Sequence, residues 1–391
     1  MKKFLSAALA GVMSISLAAC GSSSSGTAAA SSSSAASGSS DSSDMKVAMI
    51  TDYGDITDQS FNQTTYEASK AWAEKNGAEF NYYKPATDND ADREASIEQA
   101  IEEGYNIIVM PGYAFAKAIV DEADNYPDVK FVGIDVSQDD LDKNSGEKDW
   151  SKDNTYTAVY QEELPGYMAG YAAVKLGYKK LGYLGGMAVP AVVRYGYGYV
   201  QGANEAAKEL GLSDVEIKYV YGGAFAGNAD VTAAMDTWFS GGTELVFAAG
   251  GSIYTSAAEA AAKVNGKLIG VDVDQAATID GKYGKGMTVT SAMKGLAATV
   301  NAVLDGIKAG EWDSSYAGKA DNLGLVSGTD LSKNYVQLAD STQWGDGFTE
   351  DDYKELVSKL YSGDLKVDND VNVDLSKYDG VVKVDYQGSL K

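Results

Sequence analysis

Lys46-Val47-Ala48-Met49-Ile50 runs without a break into Thr51-Asp52-Tyr53-Gly54-Asp55-Ile56-Thr57-Asp58-Gln59-Ser60-Phe61-Asn62-Gln63. A five-residue apolar run that stops at a polar, glycine-bearing loop and then gives way to a helical period reads as a buried strand, a turn and a helix start. Asp58 or Ser60 is placed to cap the free N–H groups at the start of that helix. The same unit recurs. Glu79–Tyr83, Asn106–Met110 and Lys130–Ile134 read as strands, with helices near Asp58–Lys75, Ala91–Glu103 and Ala114–Asn125 between them. After about residue 160 the rhythm starts again. Strands at Lys180–Leu184, Val215–Tyr221, Glu244–Ala249, Lys267–Val271 and Met287–Ala292 alternate with helices near Glu162–Leu176, Val193–Leu210, Asn228–Phe239 and Ile253–Val264.

Strands alternating with helices of this length form βαβ units and parallel sheets. The fold class is therefore α/β, with two doubly wound parallel-sheet lobes joined by a hinge. A helix over Lys294–Ala309 is expected to return to the first lobe, and a strand at Tyr335–Leu338 and a helix at Asp351–Tyr361 to complete the second. The boundaries that follow are 45–158 with about 292–325 for the N-terminal lobe, and 159–291 with about 326–391 for the C-terminal lobe. Ligands of such sheets sit beyond the carboxyl ends of the strands, which can face one another across two lobes.

Residues 1–19 precede the only cysteine of the 391 residues, Cys20. Lys2 and Lys3, an apolar run from Phe4 to Ala18 and the small residues before Cys20 form a secretory signal of the bacterial lipoprotein kind, in which the cysteine is lipidated. The apolar run is too short to span a membrane, which takes about 20 residues. Residues 20–44 then form a lipidated cysteine and a Ser/Ala/Gly linker, with a root-mean-square span of about 27 Å if it behaves as a flexible coil. Without Lys2 and Lys3 the chain carries 30 basic against 56 acidic residues, a net charge of −26. That charge argues against nucleic acid and anionic lipid surfaces as partners. With no histidine and no second cysteine, metal and acid–base chemistry are poorly supplied, so neither a metal nor a cofactor is expected. The 26 tyrosines, against nine phenylalanines, suggest amphipathic aromatic surface.

Phosphate-loop and nucleophile-elbow motifs are absent from the sequence. The aspartate runs Asp88–Asp92 and Asp368–Asp374 lack the glycine and glutamate of a calcium loop and read as solvated turns. In the first loop, Phe61 beside Asp52 and Asn62 offers an aromatic face with directional acceptors and donors, as recognition of a planar heterocycle requires. The same residues also fit a core phenylalanine and a turn aspartate.

The Asp52–Gln63 stretch is similar to the opening motif of the basic membrane protein (BMP) family, lipid-anchored substrate-binding proteins of ABC transporters that include purine nucleoside receptors. Further blocks agree in order: Glu163 with Gly166-Tyr167-Met168-Ala169-Gly170, Leu184-Gly185-Gly186-Met187 with Gly198 and Gly202, Gly270-Val271-Asp272-Val273-Asp274-Gln275, and Thr290-Ser291-Ala292-Met293-Lys294. The resemblance spans roughly Lys46 to Lys308 and leaves the C-terminal 80 residues without a motif. It implies a type I periplasmic-binding-protein-like fold, no enzymatic activity, an ABC permease as partner and a monomeric receptor on the outer face of the cell membrane.

It also implies the site. Phe61 and Phe225 would stack on a base, Asp52 and Asn62 would read its polar edge, and Asp135 would end a first-lobe strand in the cleft. Gly250 and Gly251 would let backbone approach the ligand, and Asp272 and Lys294 would bind ribose hydroxyls. Around Phe225 the chain has Phe225-Ala226-Gly227-Asn228 in place of the more usual aromatic-x-aspartate. Competing readings are a sugar receptor of the same fold, a tethered sensor or adhesin with a protein partner, and a nucleoside hydrolase using Asp52, Asp55 and Asp58.

Overall fold

The computed structural model describes residues 44–52, 54–378 and 380–390; the signal segment 1–19, Cys20 and the linker as far as Ser43 lie outside the described residues. In chain order the first run is β1 (Lys46–Ile50), α1 (Phe61–Asn76), β2 (Glu79–Tyr83), α2 (Asp90–Glu102), β3 (Ile107–Pro111), α3 (Ala116–Glu122), β4 (Lys130–Ile134), α4 (Gln138–Ser145) and β5 (Thr155–Tyr160). The second is α5 (Glu163–Lys175), β6 (Lys180–Gly185), α6 (Pro190–Glu209), β7 (Val215–Tyr221), α7 (Ala229–Ser240), β8 (Leu245–Ala249), α8 (Tyr254–Ala262), β9 (Lys267–Asp272), α9 (Ala276–Tyr283) and β10 (Thr288–Lys294). The chain ends with α10 (Leu296–Lys308), α11 (Trp312–Ser315), β11 (Lys319–Leu323), β12 (Val336–Leu338), α12 (Glu350–Ser362) and β13 (Val382–Ser389).

Two sheets result. The first has the order β11-β5-β4-β3-β1-β2 and the second β12-β10-β9-β8-β6-β7-β13. All pairings are parallel except β10 with β12. A parallel sheet must be covered on both faces, which is why its central strands read as continuous apolar runs. Trp72 of α1 with Val300 and Leu304 of α10 covers one face of the first sheet, and Ile97, Phe115 and Ile119 cover the other. In the second sheet Tyr199 and Ala203 of α6 lie on one face and Trp238 and Ala257 on the other. The Trp72 indole N–H donates to Asp305 at 2.7 Å, tying α10 back to α1.

The chain passes between the sheets three times: after β5, after β10 and after β11. These crossings are hydrogen-bonded side by side. Gln161 N–H donates to Leu323 C=O (2.9 Å), Tyr335 N–H to Gly324 C=O (3.0 Å) and Gly295 N–H to Tyr335 C=O (2.7 Å).

Several sequence expectations need correction. The helix expected from Lys294 begins at Leu296, because Met293 and Lys294 continue β10 and pair with Asp272 of β9 and with β12. The first helix begins at Phe61 rather than Asp58, since Asp58 is spent on capping it. Strands β5, β11 and β13 and helices α4 and α9 were not expected. The tyrosines are largely interior: Tyr183, Tyr195, Tyr199 and Tyr219 are buried in the second sheet's core, and the Tyr197 hydroxyl donates to Asp368 at 2.8 Å. Asn89 caps α2 by accepting from Asp92 N–H at 2.9 Å, so the Asp88–Asp92 run is a helix start.

The glycines of α5 and α6 fix how closely these two helices pack. A Cβ on Gly166 or Gly170 would come within 2.3 and 2.0 Å of the Tyr195 and Tyr199 carbonyl oxygens. One on Gly198 or Gly202 would come within 2.1 and 2.0 Å of the Glu163 and Tyr167 carbonyl oxygens. All four partner atoms are backbone oxygens, so none belongs to a side chain that can swing away. Gly198→Ala is therefore expected to lower the unfolding free energy by about 1–3 kcal/mol through overpacking. Urea unfolding measures it, and an unchanged midpoint would show that the two helices are free to move apart.

Candidate functional site

The strand order of each sheet reverses once, between β1 and β3 in the first and between β6 and β8 in the second. Connections leave in opposite directions at such a point and open a crevice beyond the strand ends. A cavity of about 470 Å³ lies where the two crevices meet, within the roughly 300–1,000 Å³ usual for small-molecule sites. All nine residues picked from the sequence line it: Asp52, Phe61, Asn62 and Asp135 from the first sheet's side, and Phe225, Gly250, Gly251, Asp272 and Lys294 from the second's.

The β1–α1 loop is built around Asp58. Its carboxylate accepts from Ser60 N–H (2.9 Å), Asn62 N–H (3.0 Å) and Gln63 N–H (3.1 Å), satisfying donors that a helix start leaves unpaired. Ser60, the other capping candidate, instead turns its hydroxyl to Asp272, donating at 2.5 Å. The Asn62 amide nitrogen donates to Asp52 (3.1 Å) and Asp58 (3.3 Å), which leaves its oxygen buried with no donor. Asp52 also accepts from Gly54 N–H at 2.6 Å. Burial pushes the Asp52 carboxyl up to about 6, against the pull of those two hydrogen bonds. It raises that of Asp58 as well.

Lys294 is the centre of the second group. It ends β10 with its side chain 3 % exposed and donates to Asp135. Glu162 and Asp272 each lie 3.7 Å from its ammonium. The ammonium also sits 4.6 Å from the Phe61 ring centroid and 5.5 Å from that of Tyr160. Burial alone would lower the pKa of this lysine; the Asp135, Asp272 and Glu162 carboxylates outweigh it and hold the pKa above the usual value. Asp135 is pushed up to about 6 by burial, opposed by Lys294. Asp272 is raised by burial too. Both aspartates end matching strands in the left-handed region, with φ of 60° and 66°. Asp135 Oδ1 and Glu162 Oε1 are buried without hydrogen-bond donors.

The glycines beside Phe225 line the cavity and also pack closely on the phenylalanine. A Cβ on Gly186 or Gly250 would lie 2.5 or 2.9 Å from the Phe225 ring. Gly250 and Gly251, at φ of 151° and 50°, thus make room for the phenylalanine before they make room for a ligand. Two charged residues were missed. Glu162 is fully buried at the first crossing, and Arg194 Nε donates to it at 2.7 Å from α6. A signal existed for Arg194, since the chain has only two arginines among its 32 basic residues. Glu162 gave none, because an acidic residue at a helix start is ordinary.

Two outcomes follow from these charges. A carboxyl whose folded pKa lies near 6 and whose ordinary value is 3.8 is destabilising when ionised. That penalty is full above about pH 6 and is relieved as the pH falls towards 4. The ligand-free protein should therefore unfold at a higher temperature at pH 5.5 than at pH 7.5, and Asp52→Asn should reduce the difference without abolishing it, since Asp135 still titrates; a midpoint that falls on acidification rejects this. Lys294→Met leaves the buried Asp135 and Asp272 carboxylates without their cation and Glu162 with Arg194 alone, and should cost about 3–5 kcal/mol at pH 7.5. Denaturant titrations should show the loss shrinking at pH 5.5, where Asp135 takes up a proton; a loss independent of pH would mean that Lys294 acts by packing alone.

A family model for PnrA-like substrate-binding proteins of ABC transporters (Bmp) matches residues 45–343. The chain is 27 % identical over 289 residues to the ABC transporter nucleoside-binding protein BmpA of Lactococcus lactis subsp. cremoris, covering 69 % of this chain and 77 % of that protein. It is 26 % identical over 259 residues to basic membrane protein A1 of Borrelia garinii, covering 66 % and 70 % respectively. The fold matches a solute-binding protein of an ABC transporter system from Aeropyrum pernix with a TM-score of 0.63 at 20 % identity, covering 86 % of this chain and 90 % of that one. A counterpart from Conexibacter woesei gives 0.62 at 22 % identity, covering 83 % and 99 %. This is the type I solute-binding fold. With a model that accounts for most of the folded chain and a cleft shaped for capture, the chain belongs to the Bmp family of ABC transporter substrate-binding proteins, which bind their small molecules without chemistry.

Proposed function

We propose that this protein captures a nucleoside, of the purine class, between two closing lobes outside the cell membrane and delivers it to an ABC permease. The lobes follow the two sheets with their helices, close to residues 45–158 with about 292–325 and 159–291 with about 326–391, except that β5 carries the first lobe to Tyr160 and β10 carries the second to Lys294. The hinge is the set of three crossings at Gln161, Gly295 and Gly324–Tyr335. No described helix is long and apolar enough to cross a membrane. Attachment is assigned to a lipid on Cys20, and the linker to Asp44 acts as the tether.

The observation that carries this reading is the cavity's demand for donors. Asn62 Oδ1 and Asp135 Oδ1 are buried acceptors with no donor, on residues that line a cavity also carrying the rings of Phe61 and Phe225, and a third such acceptor, Glu162 Oε1, lies behind the lining, 3.7 Å from the Lys294 ammonium. A nucleoside supplies both complements, N–H and O–H donors on a base and a ribose and a flat apolar face. In this assignment Asn62 and Asp52 face the base edge, while Asp135, Asp272 and Lys294 face the ribose hydroxyls. The anionic lining, with seven aspartates against Lys294 and Arg194, disfavours phosphorylated forms. The curated relative named as a nucleoside-binding protein supports the same class.

Thermal unfolding against a panel of nucleosides, free bases and pentoses tests it. A ligand at 100 times its dissociation constant adds about 2.7 kcal/mol of stability. Inosine, guanosine or adenosine should raise the midpoint of the wild type but not of Phe61→Ala or Asp272→Ala. A response to pentoses with none to nucleosides would replace the ligand class by sugars, and no response to either would favour a protein partner.

A further inference from the structure

Outside the cavity lining, the β1–α1 loop and the start of α9 are joined across the cleft. The Gln275 side-chain amide N–H donates to the Gln59 backbone carbonyl at 3.0 Å, and the Thr278 hydroxyl donates to the Gln59 side-chain carbonyl at 3.2 Å. Both partners are held in place for this contact. Gln59 adopts φ of 56°, and its own N–H and side-chain N–H both donate to Gln63 Oε1, at 2.9 and 2.6 Å. Gln275 is buried; its N–H donates to the Ser291 hydroxyl (3.1 Å) and its side-chain oxygen accepts from Val271 N–H (3.0 Å), so its amide nitrogen can point only one way. Ser60 donating to Asp272, which lines the cavity, makes a third bridge.

We infer that Gln59, Gln275 and Thr278 form a latch that sets ligand affinity without touching the ligand, by stabilising the closed arrangement of the lobes. This rests on the two-lobe capture reading above. The left-handed Gln59 aims its carbonyl out of the loop and across the cleft, towards an amide that the second lobe has already oriented. None of the three residues lines the cavity, whereas Asp272 does. Losing the latch should leave the encounter with ligand unchanged and shorten its residence, because only the closed state makes these bonds. These are positioning residues, and their signature is a change confined to the dissociation rate.

The test uses the full chain in a Cys20→Ser background, which has no other cysteine. Cysteines for spin labels are introduced at exposed positions on either side of the cleft, Glu74→Cys on α1 and Lys285→Cys after α9. Thr278→Val removes one donor with little change of shape. Gln275→Glu, measured at pH 8, keeps the acceptor for Val271 N–H and removes the donor to Gln59. With a purine nucleoside as probe, the pair should raise the dissociation rate about tenfold and leave the association rate within a factor of about three. Without any ligand, label distances should shift from a short to a longer population in the variants. Should Gln275→Glu fail to fold, Thr278→Val alone is expected to give about a threefold effect in the same direction. Unchanged dissociation rates, or the same distance distribution in wild type and variants, overturns the latch. If no nucleoside binds, the ligand-free distances still decide the latch, and the failure belongs to the ligand assignment alone.

Discussion

A single buried cation organises this molecule. Lys294 sits at the end of β10 with three carboxylates around it, Asp135 from the end of β4, Asp272 from the end of β9 and Glu162 from the first crossing. A lone ammonium at that depth would be strongly unfavourable, and three carboxylates without it more so. The charges are tolerable only when the ends of both sheets and the crossing are brought to one point. The lysine thereby couples three parts of the chain at the point where Ile134, Tyr160 and Val336 already share one apolar cluster. The Arg194–Glu162 pair extends the arrangement to α6, whose glycines hold it against α5. Packing sets where the helices lie, and the ion cluster sets where the two sheet ends meet.

Much of this was legible in the sequence. Apolar runs such as Ile107–Pro111 and Leu245–Ala249 can only be central strands of a covered parallel sheet, and they fix the alternation and the strand ends where a site must lie. Asp135 and Asp272 stand at such strand ends, but their place in a site came from the family resemblance. Edge strands were not. β11 reads Lys-Ala-Asp-Asn-Leu and is half solvated, so its period is polar and its pairing with β5 is a tertiary fact. β13 is similar, alternating weakly along an exposed edge. Lys294 looked like a helix-start residue because a glycine follows it and an amphipathic period begins two residues later. The pairing of Met293 with Asp272 extended the strand and pointed the lysine inward.

Asp135 and Asp272 show how the two halves mirror one another. Both close the corresponding strand of a sheet whose order reverses in the same way, and both adopt a left-handed backbone that aspartate tolerates better than most residues. A turn of that shape lifts the carboxylate off the strand axis and into the space between the sheets. Local strain at matched positions, with the charges it presents aimed at one lysine, is the pattern expected where backbone geometry serves a site rather than the core.

Closure of the lobes therefore carries a cost and a gain. Each buried acceptor without a donor costs about 1–3 kcal/mol, and Asn62, Asp135 and Glu162 each hold one. Opening admits water to these atoms, so hydration favours an open arrangement when no ligand is present. The bonds from Gln275 and Thr278 to Gln59, and from Ser60 to Asp272, favour the closed one. A ligand shifts that balance only through contacts it makes better in the closed state. Supplying donors to acceptors that closure would otherwise strip of water is such a contact, and flat apolar surface against Phe61 and Phe225 is another. A molecule with the right shape but no donors would fill the cavity and leave the acceptors unsatisfied. Selection at this site thus acts on donors first and on shape second.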